Sequence, residues 1–185
     1  MTDKPTLHTH RPKIPPRRYE ISILHLALSA LCYGVAVGGL IYALIALSAM
    51  PDTVGYHFSA SGTFDLFGDK SIAFLHPLIA EYLLLAVFTL FSAIAVRVKP
   101  LKHLSHAANQ CIAFLTVCVC DLFSLATVSI FGHWIYCVAG QTPLNTNAVA
   151  AILWIPAAAL MLFIAGLLVA VIGIRIHLFH TKRSK

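Results

Sequence analysis

Charge is what this chain has least of. Lys, Arg, Asp and Glu together make up 11% of its 185 residues, and only seven of them are acidic, whereas a soluble domain is about a quarter charged. That scarcity excludes an exterior of solvated charge, and with it an ordinary water-soluble fold. Apolar residues reach 59% instead. They gather in four runs, 21–49, 72–96, 107–131 and 148–174, each at or above the roughly 20 residues that cross a bilayer as a helix. The expected fold class is an all-α integral membrane protein, a four-transmembrane-helix bundle.

Other absences narrow the reading. Cys32, Cys111, Cys118, Cys120 and Cys137 are odd in number and lie in or at the ends of apolar runs, which suits buried small side chains rather than a disulfide framework. HExxH, GxSxG, a phosphate-binding loop and a dinucleotide fingerprint are all missing. A non-enzymatic protein without cofactor or bound metal is expected. The alternative of a metal-dependent membrane enzyme would need His57, His76 and His133 to converge with a carboxylate.

The first run is too long for the apolar region of a cleaved signal peptide, about 7 to 15 residues, so the first helix is expected to remain. Basic residues are distributed unevenly. Lys4, Arg11, Lys13, Arg17 and Arg18 precede the first run, Arg97, Lys99 and Lys102 separate the second from the third, and Arg175, Lys182, Arg183 and Lys185 follow the fourth; Lys70 stands alone on the other side. The excess of Lys and Arg in cytoplasmic loops then places both termini in the cytoplasm and residues 50–71 outside. Basic clusters beside membrane helices are topology signals and contacts for anionic lipid, so the bilayer is a partner and nucleic acid is not. Residues 1–20 read as a cytoplasmic basic tail, disordered, and 178–185 as a cytoplasmic basic tail, flanking a transmembrane domain over 21–177.

Between the first two runs lies "MPDTVGYHFSASGTFDLFGDK", residues 50–70. Connections above about 12 to 15 residues tend to be functional or disordered, and this one interleaves Val54, Tyr56, Phe58, Phe64, Leu66 and Phe67 with polar residues. "VGYHF" alternates like a strand and "SASG" supplies a turn, so a hairpin-like lid is expected. Phe58 and Phe67 would anchor it, Gly62 and Gly68 would allow positive φ, and His57 would bond Asp65 across it. Lys70 would pair with Asp65 or lipid phosphate, and Asp69 or Ser71 would cap the second helix.

The order Pro51, Asp52, His57, Phe58, Ala60, Gly62, Asp65, Gly68, Lys70, followed by an apolar helix with an early Pro77, resembles the bacterial domain of unknown function sixteen-forty-eight over roughly residues 40–80. That domain also opens SdpI-type membrane proteins. The resemblance implies a bacterial inner-membrane protein acting in immunity to a secreted peptide toxin or in signalling its presence. His57, Phe58, Gly62, Asp65 and Lys70 would then recognise a peptide or membrane-protein partner.

Two acids, Glu81 and Asp121, fall inside apolar runs, where an ionised carboxylate costs about 2.5 to 3.5 kcal/mol or more. Counted from the outer ends of runs two and three they lie at matching depth, so they are expected to meet as an intramembrane polar pair. That pair supports a rival function, a small transport or proton-linked membrane component. Ala30, Gly34 and Gly38 form a small-residue stripe, and Gly166 with Ala170 another; a homodimer through Gly34 and Gly38 is one use for the first.

Overall fold

A continuous apolar segment satisfies its backbone away from water by closing its own hydrogen bonds as a helix. In the computed structural model, which describes residues 23–98 and 104–183, the four apolar runs do so. They form α1 (Ile23–Ala49), α2 (Lys70–Arg97), α3 (His106–Gly140) and α4 (Thr146–Arg183). All four are long and apolar enough to cross a membrane. Between α1 and α2 the chain forms an antiparallel pair, β1 (Thr53–Phe58) and β2 (Phe64–Asp69).

Helices α1, α2 and α3 pack against one another, while among the described elements α4 rests on α3 alone. One core cluster lies at the hairpin end, where Ala43, Val54, Phe58, Ala73, Phe74, Ile135, Val138 and Leu144 are buried together. A second, smaller one joins Cys32, Ala36, Leu85 and Val128 on the three central helices. Large apolar side chains such as Leu31, Leu44, Leu83, Phe91, Trp154 and Leu162 point outward. An outer surface of this kind matches hydrocarbon rather than water.

Two boundaries differ from the sequence expectation. Helix α3 continues to Gly140 rather than ending at 131. Gly132 and His133 look like an exit signal, yet Ile135, Cys137 and Val138 carry the buried face onward. The helix stops where Gln141 adopts a left-handed conformation (φ 48°), with its N–H on Val138 O and that of Thr142 on Cys137 O, a Schellman-type end. At the far end of α4, residues 178–183, expected as tail, are helical. The expected tail over 1–20 lies outside the described residues, as do Lys99, Lys102 and Lys185.

Candidate functional site

The hairpin is held from three directions. Val54 and Phe58 turn inward from β1, and the Phe58 ring sits 4.4 Å from that of Phe64 and 5.3 Å, edge-on, from Trp134 of α3. At the tip, Gly62 has φ 83°, and its carbonyl accepts from Leu144 N–H at 2.8 Å. A Cβ at that position would run into the Leu144 carbonyl oxygen. The tip is thereby tied to the α3–α4 connection. The third hold is Gln141, whose carboxamide accepts from Gly55 N–H at 2.9 Å and donates to Gly55 O at 3.2 Å. Left-handed φ is uncommon for a residue with a side chain; here it terminates α3 and aims the amide at β1.

At the foot of the hairpin Asp69 caps α2, accepting from Ser71 N–H at 2.7 Å. The same bond, aided by the Ser71 hydroxyl and by Lys70, holds the Asp69 carboxyl below its usual range. Lys70 Nζ donates to Met50 O and meets Asp52 Oδ1, both at 3.1 Å. It does not pair with Asp65, one of its two expected partners. Asp65 is instead bound to His57, with Nδ1 and Oδ1 2.6 Å apart, the cross-hairpin contact the sequence suggested.

Two further expectations are corrected. Gly68 has no positive φ; it sits in β2 opposite Val54, where a Cβ would press on the Tyr56 ring at 3.0 Å. Phe67 is no anchor, being 64% exposed, with Leu66 beside it at 49%. Phe58 and Phe64 carry the anchoring instead. β1 is the inner strand, in contact with α2 and α3, and β2 is the outer one.

The expected acid pair is absent. Asp121 Oδ1 binds His25 Nδ1 of α1 at 2.7 Å, and Glu81, only 1% exposed, keeps its Oε2 buried with no hydrogen-bond partner among the described residues. The depth match failed because α3 is longer than it reads. With α2 starting at Lys70 and α3 ending at Gly140, the two acids lie about 16 and about 28 Å from the hairpin end at 1.5 Å per residue. His25 and Asp121 line a pocket of about 230 Å³ between α1 and α3, walled by Leu28, Phe114, Val117 and Leu122 among others. Level with the second core cluster, Thr89 donates to Leu85 O at 2.8 Å and Tyr33 donates to the Thr89 hydroxyl at 2.8 Å.

Among the described residues no three His, Cys, Asp or Glu side chains come together as metal ligands. His57 is committed to Asp65, the His76 ring lies 6.1 Å from that of Tyr56, and His133 lies beside Cys137. Among the described residues nothing lies within 4 Å of a Cβ placed on Gly34 or Gly38, so no described part of the bundle packs closely on this stripe. Sequence reasoning missed Gln141, Leu144 and His25. Only His25 carried a signal, as a polar group inside the first apolar run.

No model of a known protein family matches this chain, and neither does any curated protein or solved structure. The resemblance of the hairpin segment therefore rests on its residues alone.

Proposed function

We propose that the chain is a non-enzymatic multi-pass membrane protein, both termini in the cytoplasm, whose extracytoplasmic hairpin cap recognises a peptide or protein partner. The observation that carries this reading is the division of the cap into a docked face and a free one. Phe58, Gly62 and Gly55 fasten it to α3 and to the connection into α4, while His57, Asp65, Leu66 and Phe67 stay at the surface. A connector that only joined two helices needs no such rigid display, and preorganised surfaces bind with less ordering cost. The membrane placement is supported by four apolar spans and the uneven distribution of Lys and Arg. Toxin immunity or signalling is what the family resemblance adds.

A second reading keeps one observation of its own. The buried Glu81 Oε2 without a partner is the kind of intramembrane group that marks a proton or substrate path, and it supports a proton-linked component.

The recognition reading is tested in cells with a photo-crosslinking residue at Phe67 and, as control, at inward-facing Val54. A discrete adduct with a peptide or protein, specific to position 67 and identified by mass, is expected. Adducts with lipid alone, or none, would refute it. Topology is checked separately: a cysteine at Ser61 should be labelled from outside the cell and one at Ser184 spared.

A further inference from the structure

The two edges of the hairpin are not equivalent. Gly55 presents its N–H and C=O away from β2, since Gln141 binds both from the far side. The Gln141 carboxamide thus occupies the place that a neighbouring strand's peptide group would take, and the β1 edge is closed. In an antiparallel ladder, residues opposite one another orient their polar groups alike, both inward or both outward. Gly55 is opposite Phe67, so the N–H and C=O of Phe67 point out of the other edge. The bond from Lys70 N–H to Asp52 O at 3.1 Å fits that alternation. Among the described residues nothing pairs with Phe67 there.

An open edge invites pairing unless proline, lysine or another device blocks it. β2 reads "FDLFGD" and contains neither proline nor lysine. Its acids discriminate between occupants. If a second copy added its own β2 antiparallel about Phe67, Asp65 of each would face Asp69 of the other, and like charges directly opposed across a ladder are destabilising. A strand with basic side chains at those places meets attraction instead. The surroundings carry three carboxylates, Asp52, Asp65 and Asp69, against Lys70, which meets Asp52, and His57, which is bound to Asp65.

We propose that the open edge of β2 receives a short extended segment of a cationic peptide as a third strand, paired with the Phe67 backbone and selected by Asp65 and Asp69. This rests on the recognition reading above and gives its partner a chemistry: extended, basic and apolar by turns, bound by strand addition. Leu66 and Phe67 supply adjoining apolar contact.

The test uses the full chain in nanodiscs of zwitterionic lipid, with empty nanodiscs as blank. Two fluorescent octapeptides are titrated by anisotropy, one alternating lysine with valine, the other glutamate with valine. The lysine peptide should bind at least tenfold more tightly. Phe67→Pro removes the outward N–H without touching a bond to β1, and should weaken binding at least tenfold. Phe67→Ala keeps that N–H and should cost no more than about threefold. Should Phe67→Pro lower the unfolding temperature, the lysine peptide N-methylated on alternate amides serves in its place against the wild-type chain, and should bind at least tenfold more weakly. Strand addition is overturned if the lysine peptide fails to bind, if proline and alanine act alike, or if N-methylation has no effect; equal binding of both peptides overturns the charge selection. An adduct at position 67 that persists through such a result leaves recognition standing and removes only the strand mechanism, whereas loss of the adduct removes recognition itself.

Discussion

The hairpin end and the midspan of the helices both bury polar groups, and they treat them differently. At the hairpin end the buried backbones of Gly55 and Gly62 and the surface carboxyl of Asp69 each have a named partner at 3.2 Å or less, and among the side chains of the described residues only the indole N–H of Trp134 is buried there without one. At midspan Glu81 is buried with an oxygen that bonds to nothing among the described residues, while nearer the other end His25, close to the start of α1, is paired with Asp121. A satisfied polar group contributes specificity and modest stability, whereas an unsatisfied one costs its desolvation. The contrast teaches that the first region is organised to hold a shape, while Glu81 stands in the second at a cost to stability.

Four substitutions sharpen or break that contrast. Gly62→Val should have the largest effect: it forces a β-branched residue into positive φ and drives Cβ into the Leu144 carbonyl, for a loss of about 3 kcal/mol or more. Thermal unfolding in nanodiscs measures it, and near-wild-type stability would mean that the tip is not docked. Next, His25→Ala leaves Asp121 without its partner. Intramembrane hydrogen bonds are worth about 1 to 2 kcal/mol, so a loss of that size is expected from denaturant titration, and none if the pair is incidental.

Asp69→Ala is smaller and is best seen through pH. The folded carboxyl lies below its unfolded value because it accepts from Ser71. Its contribution is therefore present above the unfolded pKa of about 4 and is lost as pH falls through the folded pKa. Stability of the wild type should decline on that acid limb, and the variant should show a shallower decline. Glu81→Leu comes last. Replacing a buried, unpartnered acid with an apolar group of similar size should leave stability unchanged or slightly raised. If it destabilises as much as His25→Ala, Glu81 has a structural partner and the contrast between the two regions is void.

Much of the architecture was legible because hydropathy reports it directly. Four apolar runs became four helices, and "VGYHF" and "TFDLF" around "SASG" became two strands and a turn. What was not legible depended on where a helix ends. Gly132 and His133 carry the local chemistry of an exit, and only the tertiary burial of Ile135 and Val138 keeps α3 going. That misjudged end shifted Asp121 by about two turns relative to Glu81 and concealed its true partner. Gln141 was unreadable for another reason. Its role depends on a left-handed backbone and on β1, 86 residues away, and neither leaves a trace in local sequence.

The same separation sets an order of events during synthesis. Gly55 emerges 86 residues before Gln141, and at about 5 to 20 residues per second the wait is roughly 4 to 17 s. Throughout that interval the hairpin lacks the carboxamide that closes β1 and the Leu144 amide that anchors its tip, so both of its edges are open. Closure has to follow the arrival of the α3–α4 connection. The cap is thus a late event in biogenesis, and a nascent chain stalled before Gln141 should display it unfastened, accessible to proteolysis and to chaperones that the finished protein would exclude.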